Sequence, residues 1–208
     1  MEKGKKLLIL GAGGHGKVIA DIAMKLEKYE KVAFLDDDTS IISVIGCERE
    51  GTIENLKVES NDTEVFVAIG NSKIRQNISY QVKEMGFSMP ILIHPNAVVA
   101  KDVVLGSGTV VMAGAVINSG VRVGEGVIVN TSSSIDHDCK VGDFSHIAVG
   151  AHIAGTVSIG QHDWIRAGAI VSNNLSIVDY VMIGAGAVVV KNIEETGTYV
   201  GVPAKKML

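Results

Sequence analysis

From Ile93 to Val189, every sixth residue is Ile, Leu or Val, through Val99, Leu105, Val111, Ile117 and onward without a slip. No ordinary sandwich holds one register for about 100 residues, whereas a six-residue period with one inward aliphatic per side is the signature of a parallel β-helix. The residue after the aliphatic is Gly, Asn or Asp at Gly106, Asn118, Gly124, Asn130, Asp136, Gly142, Gly160 and Gly184. These types tolerate positive φ, so a corner is expected near that position. Four residues after the aliphatic come small or β-branched side chains, as at Thr109, Ala115, Ser133, Cys139, Ser145, Ala151 and Ala169. Each coil is thin, so stacking on its neighbours must supply the stability.

The rest of the composition suits this reading. The chain has 208 residues, enough for one large or two small domains. Apolar residues make up 47% and aromatics only 4%, so the core must be built from Ile, Val, Leu and Ala in thin layers. With 24 glycines against 3 prolines, tight turns are expected rather than disorder. A net charge of −4 without a long basic run argues against a dedicated nucleic-acid binder. Cys47 and Cys139 form no disulfide framework and are expected as reduced, buried thiols. The basic start runs into only four apolar residues before glycines intervene, too few for a signal peptide. No apolar run approaches the roughly 20 residues of a membrane span. A soluble, cytoplasmic protein with no membrane partner is expected.

The first half reads differently. Leu7–Leu10 is an apolar strand run, followed by a glycine turn and a helix with Val18, Ile19, Ile22, Ala23 and Leu26 at helical spacing. The turn Gly11-Ala12-Gly13-Gly14-His15-Gly16 fits G-x-G-x-x-G between strand and helix, a backbone that lets an anion approach the helix start. A second strand ends at Asp36, whose carboxylate is placed to bind a ribose. A third, "EVFVAIGN", leads to a helix with Ile74, Ile78, Val82 and Met85 on one face. Only one mononucleotide-binding half precedes the repeats, so a mononucleotide fits better than a dinucleotide. The expected organisation is a small Rossmann-like nucleotide-sugar-binding domain at 1–89 and a β-helix with a C-terminal tail at 90–208.

The triplet Asp136-His137-Asp138 stands in "NTSSSIDHDCKVG", otherwise largely small residues and aliphatics. A buried strand has little use for it, and a free loop would not need Ile135 and Val141 at their spacing. The chain as a whole resembles the bacterial hexapeptide-repeat sugar acyltransferases, which include the bacillosamine-pathway N-acetyltransferase and sialic-acid O-acetyltransferase-like proteins. The resemblance rests on "GAGGHGKV", "FLDD", "AIGNSKIR", "VIN", "NTSSSIDHDC", "SHIAVGAHIAG" and "YVGVPAKKM". It implies a left-handed β-helix with three hexads per coil, hence five to six coils over residues 93–194. Residues 18 apart should then stack: His137 beneath Gly155 and above Ser119, Asn118 beneath Asp136, His146 beneath Trp164.

The same resemblance implies roles. His137 would be the general base that takes the acceptor's proton, a task suited to an imidazole near neutral pH. The family usually has His followed by Glu; here the partner would be Asp138, one methylene shorter, with Asp136 as a rival. The Gly155 N–H would meet the thioester oxygen. Asn118 would contact the sugar, or serve as a corner residue. Gly13, His15, Asp36, Asp37, Gly70, Asn71 and Arg75 fall where the family binds the nucleotide part, with Arg75 either on phosphate or solvated at its helix start. His146 would touch acetyl-CoA, and Ala167, Gly168, Gly184, Ala185 and Pro203 would line the CoA arm. Lys205 and Lys206 would attract CoA phosphates or be solvated tail residues. His152 and His162 have no motif support and read as surface residues; Arg166 and Trp164 have no assigned role.

The implied protein is a homotrimer in which acetyl-CoA and a nucleotide-linked amino sugar meet between subunits. The implied reaction is acetylation of the amine of UDP-4-amino-4,6-dideoxy-N-acetylglucosamine, with O-acetylation of sialic acid or a related sugar as the alternative. A metal hydrase using His137, His146 and His152 lacks that class's spacing, so no metal is expected. A nicotinamide enzyme and a non-catalytic scaffold explain the sequence less well.

Overall fold

The computed structural model describes residues 5–60 and 62–207. The start of the basic leader, Met1–Gly4, lies outside them. The chain divides into two compact units, Met1–Pro95 and Asn96–Leu208.

The first unit is a Rossmann-like α/β layer. Its strands are β1 (Lys5–Leu10), β2 (Tyr29–Leu35), β3 (Ser43–Val44), β4 (Cys47–Gly51) and β5 (Glu64–Val67), in the order β3-β4-β2-β1-β5. β1 pairs parallel with β2 and β5, β2 runs parallel to β4, and only β3–β4 is antiparallel. Helix α1 (Gly14–Lys25) buries Ile19, Ala20, Ile22 and Ala23, while Val18 faces out. Helix α2 (Ser72–Glu84) departs from the expected face. Ile74 and Met85 are exposed, and the buried side is Arg75, Ser79 and Val82. An arginine occupies the apolar stripe because its guanidinium finds backbone carbonyls there, as described below.

The second unit is the left-handed parallel β-helix. The first side carries Val110–Val111, Ile128–Val129, His146–Ile147, Trp164–Ile165 and Val181–Ile183. The second side carries Val98–Val99, Val116–Ile117, Ser134–Ile135, His152–Ile153, Ile170–Val171 and Val188–Val189. The third carries Val104–Leu105, Arg122–Val123, Lys140–Val141, Ser158–Ile159 and Ser176–Ile177. Rungs pair in register at a separation of 18 residues, as in Val98↔Val116↔Ser134↔His152↔Ile170↔Val188. The second strand residue points inward and the first outward. Ile135, Ile147, Ile153 and Ile165 are buried, and so are Thr109, Ala115, Cys139 and Ala151 of the small-residue position. Cys47 and Cys139 are free, buried thiols.

The corners sit two residues beyond the expected position. Positive φ falls on Gly108, Gly114, Gly120, Gly126, Ser132, Asp138, Phe144, Gly150, Thr156, His162, Gly168, Asn174, Tyr180 and Gly186. The glycines directly after the aliphatic answer a different demand. A Cβ at Gly106 would lie 2.5 Å from Glu125 N, and one at Gly142 would lie 2.5 Å from Gln161 N. They are glycine because the next coil passes too close for a side chain.

The interior of the β-helix also holds a carboxyl group, at Asp163. Thr109, Ser145 and Asp163 share a column in which each side-chain oxygen accepts the N–H one coil above, from Val127, Asp163 and Val181 respectively. Asp163 is 1% exposed, and burial pushes its pKa up from 3.8 to about 8. The folded protein therefore holds a proton that the unfolded chain has lost, so stability declines as pH rises from 3.8 towards about 8. Asp163→Ser keeps the acceptor without the charge. Its melting temperature relative to wild type is expected to climb between pH 5 and pH 8; a pH-independent difference would refute the assignment.

Candidate active site

The ionisable triplet lies at the corner between the second and third sides, held by the coils above and below. Asp138 has left-handed backbone (φ 59°), and its N–H donates to Ser119 O at 3.0 Å. That turn brings its Oδ2 to 2.9 Å from His137 Nδ1. Asp136 Oδ1 accepts from His137 N and from Asn118 Nδ2, both at 2.8 Å. Above the ring, a Cβ at Gly155 would lie 2.5 Å from His137 Nε2, so only glycine leaves room for the imidazole.

This arrangement fixes the tautomer. An ionised carboxylate only accepts, so Nδ1 carries the proton and Nε2 holds the lone pair, on the ring edge that faces Gly155. The hydrogen bond to Asp138, and then the charge of Asp136, raise the His137 pKa above 6.5. Asn118 likewise holds the Asp136 carboxyl below its ordinary value. Beside the corner, a cleft of about 270 Å³ on the second side is lined by Asn118, Ser134, Asp136, His152 and Ile170. His152 is exposed there, with Nδ1 2.8 Å from Ser134 Oγ.

In the first unit, the expected nucleotide residues gather at the carboxyl ends of β1, β2 and β5, but several are engaged internally. Asp36 Oδ2 accepts from Ala12 N at 2.6 Å and thereby ties β2 to the glycine turn. Asp37 Oδ1 accepts from Ile53 N at 3.1 Å. Asn71 caps α2, accepting from Lys73 N and Ile74 N. Arg75 is neither solvated nor open to a phosphate: it is 1% exposed, and its Nη1 donates to Ile69 O and Gly70 O. Gly11 and Gly16 pack against each other, whereas Gly13 and Gly70 are exposed with open space where a side chain would stand. His15 follows Gly14 at the start of α1. Burial and the Arg75 charge lower its pKa to about 4, and its buried Nε2 has no hydrogen-bond partner. The imidazole is therefore neutral near pH 7, with Nε2 enclosed behind the glycine turn.

The expected cofactor residues lie elsewhere on the β-helix. His146, on the first side, has Nε2 3.0 Å from Asn130 Nδ2 and stacks on Trp164 at 5.7 Å. The Arg166 guanidinium sits 5.1 Å over that indole, which gives these two residues a structural account. Ala167, Gly168 and Ala185 are exposed at the corner between the first and second sides. Gly184 is buried, and a Cβ there would meet Val200. Pro203 and Lys205 border a hollow of about 270 Å³ in the tail, whereas Lys206 pairs with Glu195. Within one chain, then, His137 and the Ala167–Gly168 turn occupy different corners. His162 is no surface residue: it is 7% exposed and stacks between Phe144 and Tyr180. Among the described residues, no group of three or more His, Cys, Asp or Glu is placed to hold a metal ion, and no helix is long and apolar enough to cross a membrane.

Fold and corner together define a β-helix of the acyltransferase kind. Residues 6–82 match the family model described as the PglD N-terminal domain. The acetyltransferase domain of PglB from Neisseria gonorrhoeae, solved in complex with acetyl coenzyme A, is 42% identical, with a TM-score of 0.95 over 98% of this chain and 100% of that one. PerB from Caulobacter crescentus, solved with CoA and GDP-perosamine, is 35% identical, with a TM-score of 0.92 over 97% of each. The UDP-N-acetylbacillosamine N-acetyltransferase of Bacillus subtilis is 32% identical over 114 residues; this chain spans about half the length of that relative, 52% of each being matched. The chain belongs to the bacterial hexapeptide-repeat sugar acyltransferase family.

Gly155→Ala tests the corner. Its crystal structure is expected to show the fold unchanged and the His137 imidazole swung off Asp138, with Nδ1 beyond 3.5 Å from the carboxylate. An unmoved ring would contradict this account.

Proposed function

We propose that the protein is an acetyl-CoA-dependent N-acetyltransferase acting on the amine of a nucleotide-linked amino sugar, with His137 as general base. The observation that carries this reading is the His137–Asp138 pair beneath Gly155. It presents an unprotonated Nε2, of raised basicity, to a position from which glycine excludes any side chain. As the sugar nitrogen bonds to the acyl carbon, Nε2 takes the nitrogen's proton and the Gly155 N–H supports the oxygen's developing charge. The C–S bond then breaks and the thiolate leaves, taking the proton back from the His137 imidazolium as it becomes the thiol. Asp138 balances the imidazolium that forms. Asn118 and Asp136 are proposed to border the acceptor, and the glycine edge of the first unit to receive the nucleotide.

The assembly proposed is a homotrimer with active sites between subunits. Its support is that His137 and the Ala167–Gly168 turn lie at different corners of one chain, so a site that unites them needs a neighbouring copy to supply the second surface. His146, Ala167, Gly168, Gly184, Ala185 and Pro203 are proposed to hold acetyl-CoA from such a neighbouring surface. Among sugars, UDP-4-amino-4,6-dideoxy-N-acetylglucosamine is favoured, in line with the Bacillus relative. The cytoplasm, where acetyl-CoA is available, is the proposed location.

CoA release from acetyl-CoA should be measured with this sugar, with GDP-perosamine and with sialic acid, for wild type and His137→Ala. The expected result is turnover on the UDP sugar, reduced at least about 100-fold in the variant while the trimer persists in solution. Turnover on GDP-perosamine alone would reassign the sugar, turnover on sialic acid alone would reassign the acceptor atom, and an active His137→Ala would remove the base.

A further inference from the structure

Resting on the reading of His137 as base, we infer that Gly120, fixed in place by Asp102, is a positioning residue that seats the Asp138 carboxylate against His137. Gly120 lies one coil beneath Asp138 at the same corner. A Cβ built on it would fall onto Asp138 Oδ1 and crowd Asp138 Cγ at 3.3 Å. The carboxylate therefore occupies the space that a side chain at 120 would fill, and this leaves Oδ2 turned to His137 Nδ1 at 2.9 Å. The floor itself is held from below. Asp102 Oδ2 accepts from Ser119 Oγ at 2.7 Å and from Gly120 N at 3.0 Å. Ser119 O in turn accepts the Asp138 N–H at 3.0 Å. A chain of contacts thus runs up three coils, from Asp102 through Ser119 and Gly120 to Asp138 and the imidazole. Gly120 touches neither the base nor any place proposed for substrate, so its influence passes through Asp138 alone.

The test is the NMR titration of the His137 imidazole in the full-length protein without substrates. Wild type, Gly120→Ala, Asp102→Ala, Asp138→Asn and the doubles Gly120→Ala/Asp138→Asn and Asp102→Ala/Asp138→Asn are compared. In wild type His137 is expected to titrate above 6.5. Gly120→Ala and Asp102→Ala, which removes the acceptor for Ser119 and Gly120, are both expected to move it down, and neither is expected to move it further once Asp138 is Asn. Non-additivity of this kind is the mark of acting through a shared partner. Gly114→Ala serves as control: it has the same left-handed backbone (φ 69°), and its nearest neighbour is Ser132 Oγ at 3.2 Å. It is expected to leave His137 unmoved. An unshifted His137 in Gly120→Ala would overturn the inference, and so would shifts that add to that of Asp138→Asn. If Gly120→Ala does not fold, the Asp102→Ala pair decides alone. Because no turnover is measured, failure here is distinct from failure of the acetyltransferase reading.

Discussion

Everything in the second unit depends on the hydrogen bonds between coils. Val116 N donates to Ser133 O, Asn118 N to Ile135 O and Asp136 N to Ile153 O, at 2.9–3.0 Å. This ladder sets each residue over the one 18 positions earlier, and it leaves no freedom to slip, because a one-residue slip would turn the inward aliphatics outward. A side chain at a corner thus has a ceiling and a floor chosen by sequence. For His137 the ceiling is Gly155, and for Asp138 the floor is Gly120. Rigidity of this order suits proton transfer, which needs groups held at hydrogen-bond distance.

The first unit solves a different problem. Polar groups at the strand ends of an α/β layer must both complete the fold and meet a ligand. Here Asp36, Asp37, Asn71 and Arg75 complete the fold by satisfying backbone donors and carbonyls around the glycine turn and the start of α2. What is left open is backbone, at Gly13 and Gly70, with the neutral imidazole of His15, its Nε2 buried, nearby in the chain.

The β-helix was legible because its period is enforced at every rung, and the stacking of His137 under Gly155 followed from the three-hexad coil that the family resemblance implies. Corner positions were misjudged by two residues because glycine serves two needs in each hexad. It gives positive φ at positions such as Gly120 and close coil approach at Gly106 and Gly142, and spacing alone does not separate them. Arg75 was illegible for another reason. Its partners are the Ile69 and Gly70 carbonyls, and a backbone acceptor leaves no trace in a sequence. His162 was misread as exposed because its burial depends on rings at Phe144 and Tyr180, each 18 residues away. Gly120 could have been found by reading the same map downward from Asp138 rather than upward from His137.

The account's central claim is that a carboxylate-oriented imidazole at one corner takes the acceptor's proton. The most direct test is kcat/KM for acetyl transfer across pH 5.5–9 in wild type and Asp138→Asn. The account predicts an acidic limb governed by a single group titrating above 6.5 in wild type, because the base works only when neutral and its pKa is raised. In Asp138→Asn that limb moves down towards the ordinary imidazole value, with a lower plateau. A profile without such a limb, or a limb that Asp138→Asn leaves in place, would contradict it.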